Sequence, residues 1–168
     1  MADRDAAVSP AAPQRPLLPA SLMAHTGFLL HQTAEEIGQL VTDRLAPLEL
    51  KGPQYGFLAL LEESGGLSQH DAATRLHVDR TTTMAMVDEL ERQGRVERRR
   101  DPNDRRKNAL YLTGRGRSTI ARAHRIVAAA EVEYFEPLSG AQREALHRML
   151  TTLDERAQWL EQSGRGER

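Results

Sequence analysis

The chain has 168 residues, 39 % apolar and 28 % charged, with a formal net charge of −1. That is enough for one soluble globular domain with its own core. It has no cysteine, which excludes disulfides, thiolate nucleophiles, Cys-ligated zinc and thiol-based redox sensing. No apolar run approaches the roughly 18 residues of a membrane span. Aromatics make up only 4 %, so the core is built from Leu, Ala, Val, Ile and Met, in a composition that favours helix.

Residues 1–20 carry Pro10, Pro13, Pro16 and Pro19 and no continuous hydrophobic stretch. They read as a flexible arm and not as a secretory signal, so a cytoplasmic protein is expected. From near Ser21, the residues Leu22, Leu29, Ile37, Leu40, Val41 and Leu45 recur on one helix face. The spacing predicts one long helix that Pro47 ends. A second helix is expected from near Pro53, carrying Phe57, Leu60 and Leu61 and stopping before Gly65-Gly66.

Ser68 followed by Asp71 reads as a capping box for a short helix with Ala72, Ala73 and Leu76 facing inward. Val78 and Asp79 break it, and Asp79 can cap a further helix from Arg80 to about Gln93, closed by Gly94. Two short helices joined by a tight turn form a helix-turn-helix unit.

After Gly94 the pattern changes. Val96–Arg100 and Ala109–Leu112 read as two strands, with Leu110 and Leu112 on one face, around the turn residues Asp101-Pro102-Asn103-Asp104. Thr113 can cap a helix to about Phe135, with Ile120, Val127, Ala130 and Tyr134 inward, and Pro137 breaks it. Ser139 with Gln142 opens a last helix striped with Leu146, Met149, Leu150, Leu153 and Leu160, and the polar tail from Gln162 is expected to fray. The fold class expected is mainly α with a small β-hairpin wing: a winged helix-turn-helix flanked by N- and C-terminal helices. The apolar stripes of those outer helices exceed what the middle can cover, which calls for a second copy of the chain.

The charge is uneven. Between Arg95 and Lys107 stand seven basic residues (Arg95, Arg98, Arg99, Arg100, Arg105, Arg106 and Lys107) against three acidic ones. A basic stripe on a near-neutral chain is the footprint of a confined phosphate-binding surface.

The run Val78–Arg98, then Asp101-Pro102-Asn103-Asp104-Arg105-Arg106, then Leu112-Thr113 and Gly116, resembles the recognition helix, wing and following segment of the MarR family. The resemblance is strong from about Leu67 to Gly116; the flanking helices match in order and length. It implies regulators that bind pseudo-palindromic operators in double-stranded DNA as homodimers. It also implies terminal helices that interlock in the dimer, and in many relatives a small phenolic or anionic effector held in a crevice that releases DNA. On this reading 21–162 is one MarR-like domain: 53–113 is the DNA-binding lobe, 21–46 and 114–162 are dimerisation helices, and 163–168 is a frayed tail. Many relatives carry Arg where this chain has Ala85, so one DNA contact is expected to be missing.

In the recognition helix, Thr83, Met86, Val87 and Leu90 fall on the core face. Arg80, Thr81, Thr82, Met84 and Ala85 fall on the other, near the N-terminus that a major groove receives. In the wing, Arg105 and Arg106 flank the tip, where a long cationic side chain suits a narrow minor groove. Family analogy makes Arg106 the motif arginine and Asp104 its orienting partner. Arg98, Arg99, Arg100 and Lys107 are the phosphate contacts expected beside it. His25, Phe28, Leu29 and Tyr55 are the candidate ligand crevice, where a protonated histidine would favour an anion.

No metal site is expected: His70 and His77, and His25 and His31, lack the spacing of a compact metal motif. No cofactor or catalytic residue is expected either. Gly114-Arg115-Gly116 lacks the third glycine of a dinucleotide loop, and neither a P-loop nor a Gly-x-Ser-x-Gly is present. The chain therefore reads as a regulator and not an enzyme. The alternative reading is a winged-helix protein-interaction module that does not bind DNA.

Overall fold

The computed structural model describes residues 18–100 and 108–165. Residues up to Glu36 and from Ile37 onward form two units, described separately.

The first unit holds α1 (Ala20–Met23) and the start of α2 (Thr26–Leu45). The single long helix expected from Ser21 is thus interrupted. The N–H groups of Ala24 and His25 close on Ala20 and Leu22, and the His25 carbonyl then accepts the N–H groups of Phe28 and Leu29 at 3.0 and 3.1 Å. Thr26 and Gly27 are poor helix formers, so little propensity opposes the restart.

The second unit continues through a 3-10 turn (Ala46–Leu48), α3 (Gly52–Ser64), α4 (Gln69–Arg75) and α5 (Arg80–Arg92). The hairpin β1 (Val96–Arg100) and β2 (Asn108–Leu112) follows, then α6 (Gly114–Tyr134) and α7 (Gly140–Arg165). Pro53 lies in the first turn of α3, where its missing N–H costs nothing. Gly65, at φ +61°, ends that helix. The 163–168 tail was expected to fray, but α7 remains helical through Arg165.

β1 and β2 pair antiparallel from Val96 opposite Leu112 to Arg100 opposite Asn108. Leu67 adds a bridge to Leu110, with N···O distances of 3.2 and 2.8 Å. Leu110 and Leu112 are buried as expected, and so is Ala109, which directly precedes them. The tight approach at Gly66 has a visible cause. Its φ is +139°, and a Cβ there would lie 2.4 Å from the Tyr111 ring, so both backbone and space require glycine.

The core gathers Leu45, Phe57, Leu58 and Leu61 with Val87 and Leu90 of α5, Val96 and Leu110 of the hairpin, and Ile120 and Ala123 of α6. Burying each of the large ones is worth about 1.5–3 kcal/mol. Val127 and Tyr134 complete the α6 face at partial burial, beside the buried Ala130. Of the α7 stripe, Met149, Leu150 and Leu153 are exposed, and the Leu160 side chain lies outside the described residues. Among the described residues no helix is long and apolar enough to cross a membrane.

Candidate nucleic-acid interface

The helix-turn-helix is assembled by its caps. The Ser68 hydroxyl accepts the Asp71 N–H at 3.1 Å and donates to the Asp71 carboxylate at 2.6 Å. Helix α4 ends at Leu76, and His77 turns the chain at φ +51°. Asp79 then caps α5: its carboxylate accepts the Thr82 N–H at 3.0 Å and the Thr82 hydroxyl at 2.6 Å. The Thr82 hydroxyl is the first cause, and its N–H the second, that hold the Asp79 carboxyl below its ordinary range.

These caps fix the roll of α5. Thr83, Met86, Val87 and Leu90 are buried. Arg80, Thr81, Thr82, Met84 and Ala85 are all exposed, Met84 at 46 %. The face expected to read DNA is therefore the free one. The threonines differ, however. Thr82 spends its only hydroxyl hydrogen on Asp79 and Thr83 donates to the Asp79 carbonyl at 2.9 Å. Thr81 makes no side-chain hydrogen bond among the described residues, which leaves it the free hydroxyl at the helix start.

The basic stripe is less uniform than its sequence. Arg95, counted within it, is 3 % exposed. Gly94 at φ +67° and the Arg95 N–H bonded to the Leu90 carbonyl at 2.9 Å form a left-handed helix end. That turn sends the Arg95 side chain inward, where its guanidinium donates to the carbonyls of Leu48 and Glu49. Arg95 is thus a buried clamp on the 3-10 turn and adds nothing to the outer stripe.

The strand arginines also divide. Arg98 donates to Asp88 at 2.6 Å and to Glu91, which ties β1 to α5 and offsets its charge. Arg99 pairs with Glu97 and lies 5.4 Å over the Tyr111 ring. Arg100 is exposed at the strand end and has no ion pair among the described residues. The wing-tip residues Asp104, Arg105, Arg106 and Lys107 lie outside the described residues.

The segment after the wing turns out to be a lock. The Thr113 hydroxyl accepts the Gly116 N–H at 3.0 Å and donates to the Gly94 carbonyl at 2.7 Å. The Thr113 N–H bonds the Arg95 carbonyl at 3.0 Å. A Cβ on Gly116 would sit 2.1 Å from that same oxygen. The start of α6 and the exit of α5 are thereby held together, which sets the root of the wing. The sequence shows Thr113 as a cap but nothing of this cross-link.

Of the candidate crevice, His25 and Leu29 are exposed and Phe28 is partly buried, within the first unit. Tyr55 belongs to the second. Its hydroxyl meets His124 Nδ1 at 3.0 Å, and His124 Nε2 meets Glu62 at 2.9 Å. Burial first, then the charges of Glu131 and Glu62, raise the Tyr55 pKa. His124 was not a candidate in the sequence; it sits 69 positions from Tyr55, and no local motif marks it. Among the described residues no cluster of three His, Asp or Glu side chains is placed to hold a metal.

Residues 48–107 match the family model described as MarR family. The chain is 36 % identical to the HTH-type transcriptional regulator TtmR of Methylorubrum extorquens over 59 % of its length, and spans about half of that relative, 51 %. It is 31 % identical to an HTH-type transcriptional repressor of Mycobacterium tuberculosis, over 77 % of this chain and 94 % of the relative. The fold is similar to that of the transcriptional repressor CouR, solved bound to a 23-mer DNA duplex. The TM-score is 0.76 and the identity 35 %, covering 83 % of this chain and 99 % of the other.

Proposed function

The chain belongs to the MarR family of winged helix-turn-helix regulators, and from that premise we propose that it is a sequence-specific DNA-binding transcription regulator, acting as a homodimer on a pseudo-palindromic operator. The observation that carries this reading is the division of α5. Its core face is fully committed, while Arg80, Thr81, Thr82, Met84 and Ala85 stand exposed at the end a major groove receives. Two such helices related by a twofold axis reach successive grooves about 34 Å apart. Arg100 leads into the wing, where Arg105, Arg106 and Lys107 supply cations for the minor groove and the phosphates. Arg98 and Arg99, already paired with carboxylates, act first as struts of the wing.

The exposed stripe of Met149, Leu150 and Leu153 on α7 supports dimerisation, because a contiguous exposed apolar row marks an interaction surface. Repression, with release by a small phenolic or anionic effector, is the mode proposed. Tyr55 with its His124 and Glu62 partners is the group proposed to meet that effector. The test is a mobility-shift titration on an operator selected from genomic DNA. Arg106→Ala is expected to lose most of the affinity while the protein remains dimeric. Parent-like binding by that variant would overturn the wing's role, and failure to enrich any palindrome would overturn the regulator reading.

A further inference from the structure

At the far end of α5 lies a second, differently built surface. A cavity of about 380 Å³ opens between the turn after α2 and the first turns of α6. It is lined by Arg95, Arg115 and Arg122, by Ser118, whose hydroxyl donates to the Arg115 carbonyl at 2.9 Å, by Thr119, and by one acidic residue, Glu49. α5 has 13 residues and is therefore about 20 Å long. This cavity is at its Arg92 end, and the DNA-reading residues start at Arg80. The arginines here are consequently not part of the recognition face.

The cluster is out of balance. Three guanidiniums face one carboxylate. Arg95 is 3 % exposed and its Nε–H has no hydrogen-bond partner among the described residues. Burial first, and the like charge of Arg115 second, hold the Arg95 guanidinium below its ordinary pKa. The charges of Glu49 and Glu89 offset that effect in part, and of the two only Glu49 lines the cavity. The α6 N-terminus adds the positive end of a helix dipole, so the cavity concentrates cationic and donor groups.

We propose that this cavity binds a phosphate monoester, with the phosphoryl group held by Arg115, Arg122 and the Thr119 hydroxyl beneath the buried Arg95. Charge decides for phosphate over carboxylate. A phosphate monoester carries about −1.5 to −2 at neutral pH and three acceptor oxygens, which matches an excess of two positive charges. A carboxylate has one charge and two oxygens, and leaves guanidinium donors unused. A volume of about 380 Å³ is within the range of small-molecule sites and exceeds a bare phosphate, so an organic portion is accommodated. The ligand touches both the clamp at the root of β1 and the start of α6. That its occupancy reaches DNA binding rests on the regulator reading; that it binds does not.

The experiment is calorimetric titration of the full-length, DNA-free protein with phenyl phosphate, benzoate and inorganic phosphate, in a buffer without phosphate. One phenyl phosphate per chain is expected. Affinity should fall about tenfold or more when Arg115→Gln and Arg122→Gln are combined, both being exposed side chains whose loss leaves the core intact. Benzoate and inorganic phosphate should each bind about tenfold or more weakly than phenyl phosphate. An exposed control, Arg75→Gln on α4, should bind as the parent does. The proposal is overturned by absence of saturable binding up to about 10 mM, by benzoate or inorganic phosphate binding as tightly as phenyl phosphate, or by an equal loss in the Arg75 control. It is overturned too if the double variant dissociates the dimer, since a carboxylate from the second copy would then occupy the cavity. These readouts are taken without DNA, so failure here leaves the regulator reading intact, and the converse holds.

Discussion

Replacing Gly116 by Ala separates two physical effects of opposite sign. Gly116 lies in the first turn of α6, and helix propensity alone favours Ala by about 0.5–1 kcal/mol. The structure opposes that gain. The new Cβ would fall 2.1 Å from the Arg95 carbonyl oxygen, 3.1 Å from its carbon and 3.2 Å from Leu112 Cδ2. The nearest atom is backbone, and it is already the acceptor for the Thr113 N–H and hydroxyl at 3.0 and 3.2 Å. Nothing there can swing aside as a side-chain tip would. Overpacking of this kind costs about 1–3 kcal/mol, sometimes more. Subtracting the propensity gain leaves a net destabilisation of about 1 kcal/mol, or a Tm lower by about 2–4 °C for a chain of this size. Gly114→Ala, on the same helix with nothing within 4 Å, is the control and should be neutral or slightly stabilising. Urea and thermal unfolding at one fixed protein concentration measure both, since a dimer's apparent stability depends on concentration. If Gly116→Ala were as stable as the parent, the packing of α6 against the α5 exit would not be as tight as described. DNA affinity should fall with stability, because the displaced Arg95 carbonyl lies at the root of β1.

Thr81→Val removes a hydroxyl free of intramolecular bonds while keeping size, so it should change preference at one base pair of each half-site by about 1–3 kcal/mol with little effect on nonspecific DNA; a uniform loss on all sequences would refute base reading by Thr81. The Asp79 carboxyl titrates below its ordinary value in the folded chain, so between the two pKa values the unfolded chain holds more protons. Its capping contribution is thus present above about pH 4 and disappears as pH falls through the lower folded value. Asp79→Asn keeps a good cap without the titration, and its melting temperature should decline less steeply than the parent's from pH 5 to 2; parallel curves would refute this. Leu153→Glu places a charge in an apolar stripe that is 57 % exposed at that residue, once in each chain of the proposed dimer. Sedimentation should show the dimer weakened by about a hundredfold or more, and an unchanged dimer would exclude this face from the interface.

Much of the helix-turn-helix was legible because it is local. Caps act over three residues and amphipathic faces repeat within a turn or two. Ser68, Asp79 and Thr113 all cap the helices expected of them, and the core face of α5 is the one its periodicity marks. The same local logic failed near Ser21. There a periodic stripe continued across a backbone that breaks at Ala24–His25, because side-chain spacing does not report which carbonyls the N–H groups select.

By itself, then, the sequence determined the order of helices and hairpin, the caps between them and the exposed start of α5. Only the tertiary structure decided what each arginine does. Along the chain Arg95, Arg98, Arg99 and Arg100 are one basic run. In space the first is buried against Leu48 and Glu49, the second is bound by Asp88 and Glu91, the third is stacked on Tyr111, and the last is exposed. The carbonyls of Leu48 and Glu49 that hold Arg95 lie 47 and 46 positions away, as remote from any sequence motif as the Tyr55–His124 contact. A charge's partner is set by where the chain folds back on itself, and composition carries no record of that.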